Sequence, residues 1–485
     1  MSVLKQRALD ATAWSGADLV TRQGLQFLIT LVLMRLVSPG DFGTVAVLGF
    51  FTTLAAVMVD SGLSTALIQR QDINHTDEST VFWLNATIGL ALGALLALAA
   101  EPLSRFFDKP ILRPLAWVAA LTVMMSALGA IHTALLVKKL NFRTQLYAGT
   151  TAAALSGLLS IPMALSGFGV WALATQMLSM ATLSTAFLWL LHRWRPATVF
   201  SSQSVKKLFN FGGLVLAANL VDTLYTRAYT VLIGRYIGLR ELGYYDRADN
   251  TKQLPVSLLT GILARVTLPL LSAAANDPVK LRRGMQVAIR SVMLVNLPIM
   301  LGIAALAEPL INTLFGHIWQ PVTLPFQILC LAAALWPIHA INVNALLAQG
   351  RAGLVLRLEI PKKTMGLVFL VIGLSFGITG IAWSQVAFSV MALRMNTYYA
   401  HTFVGYGLIR QLKDVAVPGA AATTMAALLY WLSARAGMSD GLKLLSLTAA
   451  GSAFYIFAIF LLKPPALLEF VALLRTDNTP RARHI

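Results

Sequence analysis

Apolar windows of about 20 residues, the length a helix needs to cross a bilayer core, recur along the whole chain between short polar segments. Such windows predict spans near 11–36, 42–68, 80–100, 114–137, 147–166, 170–192, 208–237, 250–274, 286–307, 323–348, 355–376, 379–400, 416–434 and 442–462. No polar stretch is long enough for a separate soluble domain. The pattern predicts an all-α integral membrane protein of about fourteen transmembrane helices. Lys5 and Arg7 precede an apolar run as in a secretory signal, but Asp18 and Arg22 interrupt it where a signal core stays apolar. That run is read as an uncleaved first span.

The pattern also repeats. Arg35-Leu-Val-Ser-Pro-Gly-Asp-Phe-Gly43 recurs as Arg235-Tyr-Ile-Gly-Leu-Arg-Glu-Leu-Gly243, and 235 minus 35 gives a shift of 200. Ala134-Leu-Leu136 is echoed by Ala345-Leu-Leu347, and Thr175-Gln176 by Ser384-Gln385, in the same order. An even number of spans separates equivalent points, so the halves share one orientation. Two parallel six-helix bundles, related by a pseudo-twofold along the membrane normal, are expected. The lobes are placed at 1–200 and 201–405, and 406–485 supplies two additional helices and a tail.

Composition agrees with the pattern: 57% of residues are apolar and 12% charged, against about 25% charged in soluble domains. The net charge of +18 would suit nucleic acid only if the basic residues shared one solvated face. They fall instead in alternate loops. About twenty-five lie on one side and about ten on the other, Lys362 and Arg290 being counted on the richer side, which predicts cytoplasmic termini. The single Cys330 excludes an internal disulfide. His132, His317 and His339 lack metal-ligand spacing, and no Gly-x-x-x-x-Gly-Lys loop is present. No metal, cofactor, ATP hydrolysis or nucleic-acid partner is expected. Gly89-Leu-Ala-Leu-Gly93 reads as helix packing.

Charges inside the spans carry the functional signal, because each costs about 2.5–3.5 kcal/mol at a helix centre and is retained beside a partner or a wet cavity. Ser15, Asp18, Arg22 and Gln26 share one face of the first span. The corresponding span of the second half carries Asn219, Asp222, Thr226 and Arg227. Asp60 and Arg265 end corresponding later spans. One reading makes Arg22, Arg227 and Arg265 a cationic lining for an anionic headgroup, with Gln26 and Asn219 as polar contacts and Asp18, Asp60 and Asp222 as charge partners or ion-coupling groups. The other has Asp18 and Arg22 neutralise one another and Asp60 packing beside Ser61-Gly62. Arg227 is the leading candidate, since Asp222, five residues back, lies well around the helix. Snorkelling explains Arg35 and Arg235.

Arg35-Leu-Val-Ser-Pro-Gly-Asp-Phe-Gly43, Asp60-Ser-Gly-Leu-Ser-Thr-Ala-Leu-Ile-Gln-Arg70, Phe142-Arg143, Gly167-Phe-Gly-Val-Trp-Ala-Leu173 and Gly243-Tyr-Tyr-Asp-Arg-Ala248 resemble the polysaccharide transporters. These are the Wzx-type lipid-linked oligosaccharide flippases of the multidrug/oligosaccharidyl-lipid/polysaccharide exporter superfamily, here nearest the colanic-acid and xanthan exporter-like branch. The resemblance implies two six-helix bundles around a cationic cavity. It implies alternating access that carries an undecaprenyl-diphosphate oligosaccharide across a bacterial inner membrane, in contact with membrane lipid and with polymerase and export machinery as partners. Three alternatives stay open. A drug or cation antiporter of the same superfamily would centre on a carboxylate, a polysaccharide polymerase or ligase would need a large outer loop, and an assembly scaffold would need no charges inside its spans.

Overall fold

A computed structural model of the chain describes residues 2–60, 62–70 and 72–469; side chains at 2–13, 19, 210–211, 258–270, 273 and 352 lie outside that description. Two compact units divide the chain, Met1–Gly243 and Tyr244–Ile485.

The first unit runs α1 (Ser2–Leu36), α2 (Pro39–Asp60), α3 (Leu63–Gln69), α4 (His75–Leu98), α5 (Ala100–Phe106), α6 (Leu112–Lys138), α7 (Phe142–Leu165), α8 (Val170–Leu191) and α9 (Ser202–Tyr236), and ends in the first turn of α10 (Leu239–Ala273). Polar residues between apolar runs start these helices. At α4, the Asp77 amide donates to Asn74 Oδ1 (2.8 Å) while the Asn74 amide donates to Asp77 Oδ2 (3.2 Å), a reciprocal cap that satisfies two otherwise orphaned donors. Asn141 and Ser201 cap α7 and α9 with one bond each. α1 packs on α7, α4 on α6, and α9 on α2, α3 and α4. Leu63, Leu67, Val81, Phe82, Ile131 and Leu208 form a core cluster in this unit.

The segment joining α8 to α9 is strapped across the start of α4. Trp194 Nε1 donates to Glu78 Oε2 (2.7 Å), the Ala197 amide to Ser79 Oγ (3.0 Å), Trp83 Nε1 to the Ala197 carbonyl (2.9 Å) and the Ser201 amide to Thr80 Oγ1 (3.1 Å). These bonds fix where α9 starts. Its segments Ser202–Phe209 and Gly212–Tyr236 are inclined 60° to one another.

The second unit holds the rest of α10, then α11 (Pro278–Ala305), α12 (Ala307–Leu314), a 3₁₀ turn (His317–Val322), α13 (Thr323–Ala334), α14 (Trp336–Ala348), α15 (Ala352–Leu374), α16 (Gly377–Val404), α17 (Leu408–Arg435) and α18 (Asp440–Leu462). Asp277 caps α11, accepting from the Val279 and Lys280 amides, with Pro278 in the first turn where its missing N–H is harmless. Its core includes Met285, Ile289, Met293 and Met300 on α11, Ala422 and Met425 on α17, and Tyr455 on α18. The last two long helices are therefore packed into this unit.

The element order of the first half returns in the second. Each half has a span followed by a short helix, α4–α5 and α11–α12, and both short helices begin Ala-Glu-Pro-Leu, at Ala100–Leu103 and Ala307–Leu310. That echo is an identity over four residues, and 307 minus 100 gives a shift of 207. Among the described residues, eleven helices are long and apolar enough to cross a membrane, twelve if the bent α9 counts as one span. α10 and α15 have the length but carry several charges each. The chain is an all-α, multi-pass membrane protein.

Candidate functional site

In the first unit, α1 brings Asp18 and Arg22 together across one helical turn, with Arg22 Nε 3.6 Å from Asp18 Oδ1. Asp18 is buried and the Arg22 side chain is 35% exposed. At that separation neither Asp18 Oδ1 nor Arg22 Nε has a hydrogen-bond partner, so the pair attracts without being saturated. The Arg22 stem lies on α7 at Gly149, where a Cβ would come within 2.7 Å of Arg22 Cδ. Gln26, a turn further on, is exposed, and Ser15 is half-buried. The mutual neutralisation of Asp18 and Arg22 weighed from sequence is thus present as geometry, and it leaves the guanidinium accessible.

On α9, Asn219, Asp222 and Thr226 are exposed, and the Thr226 hydroxyl donates to the Asp222 carbonyl (2.9 Å). Arg227 is half-buried, and among the described residues no carboxylate lies within 4 Å of it. α1 and α9 rest on different neighbours, α7 for one and α2, α3 and α4 for the other. Arg265 belongs to α10, and its side chain falls outside the described residues. Asp60 ends α2 half-buried and lines a small cavity between α2 and α6.

Three further polar clusters each join side chains of different elements. In the second unit, Leu358, Lys362, Gly366, Leu370 and Gly373 form the buried seam of α15. Lys362, counted from sequence among cytoplasmic basic residues, sits in the middle of this helix with 4% exposure. Its ammonium is bonded to Glu359 Oε1 and lies 3.3 Å from Asn396 Oδ1 on α16. A lysine satisfied by a carboxylate one turn away and by an amide on the facing helix can replace an apolar residue in a seam.

Arg290, counted likewise as cytoplasmic, lies within α11 and ties three elements. Its guanidinium donates to Asp414 Oδ1 on α17 (2.6 Å) and to Glu469 Oε1 beyond α18 (2.8 Å), and Tyr406 Oη donates to Asp414 Oδ2 (2.6 Å). Burial and the bond to the Asp414 carboxylate both push the Tyr406 phenol well above its usual range.

In the first unit, His132 Nδ1 and His192 Nδ1 are 3.1 Å apart, with the His132 ring 5.0 Å from that of Trp189 and 5.4 Å from that of Trp194. Burial, then the Lys139 ammonium, hold the His192 imidazole below its usual range. Sixty positions separate the two histidines (192 minus 132), so only the packing of α8 on α6 joins them. Among the described residues no group of three metal-ligating side chains occurs.

A family model described as "Polysaccharide biosynthesis protein" matches residues 32–324. The succinoglycan biosynthesis transport protein ExoT of Rhizobium meliloti is 28% identical over 306 residues, 63% of this chain and 62% of that protein. The chain thus aligns with under two thirds of that relative's length. The lipopolysaccharide biosynthesis protein WzxC of Escherichia coli is 25% identical over 383 residues, 74% of this chain and 75% of its own. Among solved structures, the lipid II flippase MurJ in an inward closed conformation superposes with a TM-score of 0.75 at 16% identity, covering 92% of this chain and 98% of that one. At that identity the likeness concerns the fold.

Proposed function

Because the chain belongs to the family of polysaccharide biosynthesis proteins, we propose that it is a Wzx-type flippase. In this reading it carries an undecaprenyl-diphosphate oligosaccharide from the cytoplasmic to the periplasmic leaflet of a bacterial inner membrane, for exopolysaccharide or surface polysaccharide assembly. Both chain termini are cytoplasmic in this reading, and the product passes to polymerase and export machinery. A relative named for transport in polysaccharide synthesis, and a fold shared with a lipid II flippase, support it over an enzyme or a scaffold.

The physical task explains the residues. Sugar and diphosphate cannot cross hydrocarbon unaided, whereas the isoprenoid tail is at home in it; only the head needs a polar path. The observation that carries the assignment is Arg227, a half-buried arginine within a span and without a carboxylate within 4 Å among the described residues. A guanidinium so placed gains by pairing bidentately with phosphate oxygens. Arg22, whose Nε lacks a hydrogen bond, and Arg265 extend the cationic lining. Gln26 and Asn219, both exposed, contact polar parts of the head, and Asp18, Asp60 and Asp222 balance charge through the cycle. Access alternates between the two membrane faces.

The test is deletion and complementation. Loss of the chain should leave a lipid-linked oligosaccharide on the cytoplasmic face, and restoration should clear it. Arg227→Ala should lower export more than Arg35→Ala at equal membrane abundance, and equal or reversed effects would remove the site assignment. Transport of organic cations without movement of lipid-linked sugar would replace this reading with an antiporter.

A further inference from the structure

Three of the chain's seven histidines hold the segment 192–201 that joins α8 to α9. His75, at the start of α4, donates from Nε2 to the Arg195 carbonyl (3.1 Å). A donor to a carbonyl keeps its bond in either protonation state, so His75 is a pin. His132, fully buried on α6, and His192, the first residue of the segment, meet through their Nδ1 atoms at 3.1 Å.

Burial sets the direction of that bond. His132 Nε2 is buried and has no hydrogen-bond partner, and an orphaned buried donor is the arrangement folded proteins avoid most. The His132 proton is therefore on Nδ1, donating to His192 Nδ1. His192 then carries its own N–H on Nε2, and its one lone pair able to take a further proton is the one already in the bond. Protonation of His192 sets two N–H groups face to face at 3.1 Å. The charged groups facing the rings are Lys139 at the end of α6, Arg195 on the segment and Glu78 on α4. α2, α3 and α7, also packed on or beside α6, present none to them among the described residues. Glu78 is engaged by Trp194 Nε1 (2.7 Å), and the two cations oppose a third.

We propose that the His132–His192 pair is a proton-operated latch: one proton on His192 frees the segment 192–201 from α6 and α4, and with it the first part of α9. Displacing His192 carries Trp194, two residues on, away from Glu78. Ser202–Phe209 follows the segment directly and is inclined 60° to Gly212–Tyr236, so release alters the bend of the helix that bears Arg227. The latch does not need the flippase reading, but its effect on transport rests on it. In that reading this end of the unit faces the cytoplasm, and acidification there holds back export.

The test uses the purified full chain carrying Thr198→Cys labelled with bimane, a fluorophore that tryptophan quenches. Cys330 is buried and out of the reagent's reach. Thr198 follows Ala197, whose carbonyl accepts from Trp83 Nε1, so the label starts beside a quencher. Emission should rise about twofold as pH falls from about 7.5 to about 5.5. His132→Gln and His192→Gln, which cannot titrate, should abolish the rise, and His401→Gln, in the second unit, should keep it. Lys139→Gln removes a cation that opposes the proton and should move the midpoint to higher pH. Emission that ignores pH without a histidine substitution, or a rise that survives in His192→Gln, overturns the proposal. If the glutamine variants of the pair do not fold, the exposed Lys139 decides, and an unmoved midpoint in Lys139→Gln overturns it. Because the assay contains no lipid-linked sugar, a failed latch leaves the flippase reading standing, and a failed complementation leaves the latch standing.

Discussion

Gly43 and Gly243 hold the starts of α2 and α10 together through equivalent positions. A Cβ on Gly43 would lie 1.7 Å from the Leu239 carbonyl oxygen, and one on Gly243 would lie 1.9 Å from the Pro39 carbonyl oxygen. Leu239 is Pro39 shifted by 200, and Gly243 is Gly43 shifted by 200. The contact is therefore reciprocal.

This contact predicts an asymmetry among glycines. Gly43→Ala and Gly243→Ala must each push backbone away from backbone, and overpacking of this kind costs about 1–3 kcal/mol or more. Gly49→Ala, six residues along α2, meets nothing within 4 Å and should gain slightly in helix propensity. Thermal melting of the three variants in detergent checks this: the first two should fall well below wild type, and the third should match or exceed it.

The Arg290 cluster predicts how the last two helices are held. Arg290 and Asp414 are 19% and 14% exposed, so Arg290→Met leaves a largely buried carboxylate without its ion partner, at a cost of about 3 kcal/mol. Tyr406→Phe removes one donor to the same carboxylate and should cost about 1–2 kcal/mol. Limited proteolysis should cut α17–α18 sooner in Arg290→Met than in Tyr406→Phe. Equal rates would show that the cluster does not fasten these helices.

Burial decides the order of effects at Lys362. Its side chain is 5% exposed while that of Glu359 is 36% exposed. Removing the carboxylate strands an ammonium in the seam, whereas removing the ammonium leaves a carboxylate that can reach solvent. Glu359→Gln should therefore destabilise the protein more than Lys362→Met, and the double variant should recover toward Lys362→Met. Melting curves of the three variants provide the check.

The histidine pair predicts a pH dependence with a definite sign. The folded His192 sits below its unfolded value, so below that value the unfolded chain binds more protons and stability falls with falling pH. The contribution is fully present above the ordinary histidine range near pH 6.5 and is lost as pH drops toward the folded value. The charged groups around it are Lys139, Arg195 and Glu78. His192→Asn should flatten the decline in melting temperature between about pH 7 and pH 5 relative to wild type. A decline of unchanged steepness would assign it to other groups.

How much of this was legible beforehand differs by feature. α4, α6, α7, α8 and α18 follow the predicted spans to within about five residues at each end, because a helix in lipid satisfies its own backbone and needs only a continuous apolar run; α1 begins well before its span and α2 ends well before its own. The Asp18–Arg22 pair was readable as well, since four residues along a helix always share a face. The Ala-Glu-Pro-Leu echo is likewise a property of the sequence alone. The bond from Arg290 to Asp414 and the meeting of His132 with His192 were not readable, because no short-range periodicity relates residues that far apart in the chain.

The sequence by itself determined the solvent of this protein, its helical class, the repeat of its two halves and which side chains break the apolar runs. Each is a property of residue type and local spacing. Only the tertiary structure decided which of those charges are spent on one another. Arg290 is bonded to Asp414 and Glu469, and Lys362, already beside Glu359, meets Asn396 of α16, while Asp60 and Arg227 have no ion partner among the described residues. A charge in a span is costly until something answers it, and whether a neighbouring helix supplies that answer depends on packing between elements distant in the chain.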